Sequence, residues 1–217
     1  MARKTYQGEK NNKSRTMNKL IQAVGIVLKN KRYTGLTVSN ITAEAGVDRK
    51  LVSVYFGSVN NLIETYIKSK NYWDTINESA INLLTTAPET STRLILENLL
   101  LTQLEHFTND EEMQKVVLWQ ISENAELMAH LTANREEIYP LLFPKADQEL
   151  KDQHVDLRAI SSILIAGIYY LVLHTKTTNS TFCEIDLTTD QGMGRIKTTL
   201  KKILENTYNT VNSKVKM

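Results

Sequence analysis

Apolar residues recur at three- and four-residue spacing along most of this 217-residue chain, a period that fits one face of an α-helix and not a strand. From Ser14 onward, Met17, Leu20, Ile21, Val24, Val27 and Leu28 trace one such stripe, ending near Lys31. Comparable patterns run over 58–84, 90–107, 110–121, 124–149, 156–176 and 190–212, and 177–189 reads as a loop. Turn-forming residues are scarce, with 8 Gly and 3 Pro, too few for a many-stranded β fold. The expected fold is all-α. At 41% hydrophobic and 23% charged residues, the chain can bury a full core.

Composition also narrows the function classes. The single cysteine, Cys183, allows neither an internal disulfide nor a cysteine-based zinc site. Residues 1–15 are polar and basic and lack the apolar segment of a secretory signal. The most apolar stretch, 159–173, is shorter than the ~20 residues that span a bilayer and contains Ser161 and Ser162. A cytoplasmic protein with no membrane partner is expected. His106, His130, His154 and His174 share no metal-binding spacing, and Gly192-Met193-Gly194 has no strand before it to make a phosphate loop. No nucleophile motif occurs either. The expectation is a protein without metal, cofactor or catalytic constellation, hence not an enzyme.

The formal net charge of +2 conceals a division. Residues 1–70 carry 13 Lys and Arg against 4 Asp and Glu, whereas residues 71–217 carry 13 against 20. A basic N-terminal third on an acidic body is the distribution expected of a nucleic-acid-binding module joined to a non-binding one.

Within the basic third, Thr37 offers an N-cap to a helix carrying Val38, Ile41 and Ala45, and Gly46 offers its stop. Asp48 offers the next N-cap, for a short helix over 48–54 that Gly57 ends, and Ser58 caps the helix after it. Helix 37–45, the Gly46-Val47 turn and helix 48–54 make a helix-turn-helix, with Ala43 and Ala45 small enough for close helix approach. Leu51, Val52 and Val54 are expected to supply the second helix's apolar contacts, leaving Arg49, Lys50 and Ser53 outward. Such a helix suits the DNA major groove, where Arg pairs with guanine and Ser bonds a base or a phosphate.

The run from Leu36 to Ser58 resembles the N-terminal domain of the tetracycline-repressor (TetR) family. It has Gly35, Thr37-Val38, Ile41-Thr42, Ala45-Gly46-Val47 and Tyr55-Phe56-Gly57-Ser58-Val59 where that family has its pattern, with Ile21, Ala23 and Leu62 around it. Three positions depart: Thr42 for the usual Ala, Ser53 for a Tyr that commonly lies against phosphate, and Val59 for a Lys beside the backbone. The resemblance implies a flexible basic arm at 1–13, a three-helix DNA-binding domain at 14–70 with its helix-turn-helix at 37–56, and a helical effector-binding and dimerisation domain at 71–217. It assigns DNA contact to Thr37, Asp48, Arg49, Lys50, Leu51, Ser53, Tyr55 and Ser58.

For the body, the family pattern implies a homodimer and a cavity for an unknown small-molecule effector. Dimer candidates on the last two helices are Ile160, Leu164, Gly167, Ile168, Leu171, Leu200, Ile203 and Thr207, with Gly167 permitting a close crossing. Cavity candidates are Trp73, His106, Phe107, Trp119, Tyr139, Phe143, Tyr169 and Tyr170, large side chains with polar handles. The implied function is a transcriptional regulator, most often a repressor, whose homodimer grips a palindromic operator in double-stranded DNA. A second reading is a helical ligand- or partner-binding protein whose DNA-reading surface has decayed, with Ser53 and Val59 in its support.

Overall fold

The computed structural model describes residues 8–70, 72–122, 133, 135–151 and 155–209. Ten α-helices occur among them, and no strand beyond one isolated bridge, Phe182 with Ile185. They are α1 (Gly8–Lys31), α2 (Val38–Ala45), α3 (Lys50–Phe56), α4 (Val59–Lys68), α5 (Asp74–Thr86), α6 (Thr92–Asn109), α7 (Glu111–Ser122), α8 (Tyr139–Glu149), α9 (Leu157–Thr178) and α10 (Asp190–Asn209). A 3₁₀ turn, Tyr33–Gly35, follows α1. The all-α fold is as expected.

Several boundaries differ from the sequence reading. Helix α1 begins at Gly8, so helix extends into the segment expected to be a loose arm. The stripe over 58–84 is two helices. Ser69 closes α4 by donating its N–H to the carbonyls of Thr65 and Tyr66, and α5 starts at Asp74. The expected helix over 124–149 is broken by a turn at Glu137 and Ile138, after which α8 starts at Tyr139 with Pro140 in its first turn, and 123–132, 134 and 210–212 lie outside the described residues. Helix α9 spans 22 residues, extending beyond the apolar stretch 159–173 at both ends, and by length and composition alone it is long and apolar enough to cross a membrane. Its Leu157, Ile168 and Val172 are buried within this chain.

Contacts divide the chain into two compact units, the first made of α1–α4 with α7, the second of α5, α6 and α8–α10. The sequence reading assigned α7 to the body; it packs instead on α1 and on the 3₁₀ turn. In the first unit Leu20, Val24, Leu28, Ile41, Leu62 and Ile67 form the core. Gly25 lies on that face of α1 because the buried Tyr66 ring of α4 occupies the space a methyl group would need. Trp119 of α7 stacks on Tyr33, with ring centroids 6.0 Å apart and planes within 5°.

In the second unit α6 is central, with α5, α8, α9 and α10 packed against it. Ile95, Leu96, Leu99, Leu100, Leu104 and Phe107 on α6 are buried. Its N-terminus is tied to two other helices. The Glu149 carboxylate at the end of α8 accepts from the Thr92 N–H (3.0 Å) and hydroxyl (2.7 Å), and the Tyr208 hydroxyl of α10 pairs with Thr92 Oγ1 at 2.7 Å. A carboxylate at this end also complements the positive pole of the helix.

Candidate nucleic-acid interface and cavity

The helix-turn-helix is set by local hydrogen bonds. The Thr37 side chain accepts from the Asn40 N–H at 3.3 Å and starts α2. Gly46 ends it in the left-handed region, φ +63°, its N–H donating to the Ala43 carbonyl. The Asp48 carboxylate accepts from the Lys50 N–H at 2.7 Å and so opens α3, whose regular turns begin two residues later than the sequence suggests. Ser58 Oγ accepts from the Asn61 N–H at 3.1 Å and starts α4.

Arg49, Lys50 and Ser53 are exposed, as are Thr37, Asp48 and Ser58. Leu51 and Tyr55 are half-buried, and Lys13 of α1 sits 5.6 Å from the centre of the Tyr55 ring. Two expectations need correction. Val54 is 68% exposed and does not join Val52 in the core, because it follows Arg49, Lys50 and Ser53 around the outward side of α3. Ala43 is likewise exposed and stands at no helix crossing. The outward side of α3 thus combines two cations, a hydroxyl and a branched apolar group. That set matches what the major groove offers: phosphate charge, guanine acceptors and the thymine methyl.

The second unit holds a cavity of about 390 Å³ lined by Arg135, Glu136, Tyr139, Phe143, Arg158, Ser161, Ser162, Ile165, Ala166 and Tyr169. Of the eight aromatic and histidine candidates, Tyr139, Phe143 and Tyr169 line it. Trp73 and Phe107 stand behind Tyr169. Trp73 Nε1–H donates to the Tyr169 hydroxyl at 3.1 Å, and the Phe107 ring meets the Tyr169 ring edge-on at 4.7 Å. The other three are elsewhere. His106 is exposed on α6, Trp119 belongs to the first unit, and Tyr170 is 55% exposed and packs on His174 and Phe182. Adjacent positions on a helix point about 100° apart, so Tyr169 and Tyr170 cannot share one side.

Tyr139 and Phe143, one turn apart on α8, stack with centroids at 5.2 Å. The Arg158 guanidinium covers the Phe143 ring at 4.8 Å while both its terminal nitrogens bond the Asp147 carboxylate at 2.7 Å. Burial pushes the Tyr139 and Tyr169 hydroxyls above the ordinary phenol range, so both hold their protons near neutral pH. The charged and polar members of this wall were absent from the sequence candidates. Gln103, which bonds Tyr169 at 2.5 Å, carried a legible signal as a polar residue in the apolar stripe of α6. Arg135 and Arg158 carried none, since cations beside carboxylates read as solvated surface.

The dimer candidates are also divided. Ile168, Leu200 and Thr207 are buried within this chain, so they are not available to a partner. Ile160, Leu164, Gly167 and Leu171 are half-buried, and Ile203 is 37% exposed. The outward apolar side of α9 is carried by Ile163, 72% exposed, and Tyr170. A Cβ at Gly167 would meet, among the described residues, nothing within 4 Å beyond the adjoining turns of its own helix.

Solved structures share this arrangement of helices over nearly their whole length. The fatty acid degradation regulator FadR of Bacillus halodurans aligns at TM-score 0.56 and 15% identity, over 90% of this chain and 96% of its own. A TetR-family transcription regulator of Marinobacter aquaeolei aligns at 0.58 and 13%, over 89% and 97%. FadR of Bacillus subtilis, solved in complex with stearoyl-CoA, aligns at 0.53 and 14%, over 86% and 96%. No family model and no curated protein matches the sequence. The fold is that of helical transcription regulators. Within that class it is the fold of the TetR-type regulators.

Proposed function

We propose that this chain is a DNA-binding transcriptional regulator, an effector-responsive repressor that holds a palindromic operator as a homodimer in the cytoplasm. The observation that carries the reading is the exposed side of α3, where Arg49, Lys50, Ser53 and Val54 stand together on a capped helix-turn-helix. The likeness in fold to regulators supports it, and so does the basic N-terminal third. The stearoyl-CoA complex of the Bacillus subtilis relative supports assigning the cavity to an effector. A second copy of the chain is the partner we assign to the outward side of α9 and to Ile203, where Gly167 leaves room for close approach.

Two heads on one duplex must sit ~34 Å apart to enter successive major grooves. An effector in the body acts by altering that separation, after which only one half-site is held and the gain from bivalency is lost. Selection of bound sequences from random duplex DNA tests the reading. Enrichment of a sequence with dyad symmetry supports it. The absence of any enriched sequence at low salt would favour the decayed-surface reading, for which Ser53 and Val59 speak.

A further inference from the structure

The polar groups at the inner end of the cavity are donors in excess of acceptors. Trp73 Nε1–H and Gln103 Nε2–H reach the Tyr169 oxygen at 3.1 and 2.5 Å, and the Arg135 side chain lines the same cavity. Indole and guanidinium groups only donate, and a phenol oxygen offers two lone pairs. Donors thus fill the acceptor side of Tyr169, and among the described residues no group accepts its own O–H. Tyr169 is only 9% exposed, so bulk water is not at hand to accept that proton.

Charge around the cavity points the same way. Arg135 and Arg158 line it against one carboxylate, Glu136. Glu136 takes a single N–H of Arg135, at Nε and 3.0 Å, out of five on the guanidinium. Arg158 spends both terminal nitrogens on Asp147 and serves as a wall over Phe143. Tyr139, Phe143, Ile165 and Ala166 supply the apolar sides. A volume of about 390 Å³ falls in the range of small-molecule sites, which run to roughly 300–1,000 Å³.

We propose that the cavity takes an apolar molecule bearing one carboxylate, whose oxygens accept from the Tyr169 hydroxyl and the Arg135 guanidinium. This rests on the reading of the cavity as the effector site and adds to it the chemistry of the head group. The body of the molecule lies along the Tyr139–Phe143 pair and Ile165.

The test uses the full chain carrying Trp119→Phe, which leaves Trp73 as its one tryptophan. Trp73 emission is followed while decanoate, decan-1-ol or decylamine is added, three probes with one tail and different heads. Decanoate is expected to change the emission saturably, with an affinity at least roughly tenfold above the other two, since a hydrogen bond to a charged group is worth about that factor or more. Tyr169→Phe and Arg135→Gln should each weaken decanoate by roughly tenfold or more and leave decan-1-ol unchanged. Arg135 is half-exposed, so its variant decides the matter if Tyr169→Phe disturbs folding by circular dichroism. Equal binding of all three probes would overturn the carboxylate while leaving the effector cavity standing. Binding of none would overturn the cavity reading and the proposal together. Decanoate binding indifferent to both variants would place the carboxylate elsewhere and refute this assignment.

Discussion

The Lys70 ammonium, just beyond α4, lies 2.7 Å from the carboxylate of Glu112 in the first turn of α7, and Lys29 of α1 reaches the same carboxylate at 3.7 Å. The Glu112 side chain is only 9% accessible, so the group is held in a low-dielectric setting where its partners matter. Helix α7 is thereby clasped to the rest of the first unit, although 40 or more residues separate it in sequence from α4.

Glu112→Gln keeps the shape and removes the charge facing two ammonium groups. We expect a loss of ~1–3 kcal/mol in unfolding free energy, as for a hydrogen bond to a charged group in a partly buried place. Urea denaturation of the two proteins measures it. An unchanged midpoint would mean that the clasp contributes nothing.

Gly167 separates association from folding. Because a Cβ there finds open space beyond its own helix, Gly167→Leu should leave monomer stability unchanged or raise it by up to ~1 kcal/mol through helix propensity. The same leucine enters a two-fold interface twice and should weaken dimerisation. Sedimentation velocity at micromolar concentration gives the association state. A wild-type monomer, or an unimpaired mutant dimer, would rule out α9 as the interface.

Ser53 is exposed on α3, and Val59 is half-buried in the first turn of α4. Ser53→Tyr with Val59→Lys should raise affinity for DNA of any sequence and steepen its dependence on salt, by up to about one counterion for the added cation. Binding isotherms at several salt concentrations check this. An unaltered slope would show that Val59 does not face phosphate.

The Arg158 guanidinium, chiefly through its hydrogen bonds, holds the Asp147 carboxyl below the usual carboxylate range. A carboxyl with a depressed folded pKa stabilises the fold fully above its unfolded value of about 3.9, and that contribution disappears as pH falls through the folded value. The stability difference between wild type and Asp147→Asn should therefore be constant from neutral pH down to about 5 and vanish in stronger acid. Unfolding curves across that range measure it, and a difference that grows on acidification would contradict the pairing.

The helix-turn-helix was legible because its signals are short-range. Thr37, Asp48 and Ser58 each bond an amide two or three residues on, and Gly46 supplies the left-handed turn without a neighbour's help. The break between α4 and α5 was not, since Ile67, Trp73 and Ile76 keep enough of a helical pattern to hide it. Helix α9 is apolar almost all round, so its sequence does not distinguish inward Ile168 from outward Ile163. For the cavity, composition identified large rings but not which of them meet. Tyr139 and Tyr169, 30 residues apart in sequence, reach one space from two helices, while Trp119 stacks on Tyr33 in the other unit.

The central claim is that the outward side of α3 reads DNA sequence. Its most direct test compares Arg49→Ala and Lys50→Ala with wild type on the selected operator and on random duplex, at one fixed salt concentration. We predict that at least one variant loses ~1–3 kcal/mol on the operator, loses little on random DNA, and relaxes preference at a single base pair. Equal losses on both DNAs would make these residues phosphate contacts, and unchanged binding in both variants would contradict the account.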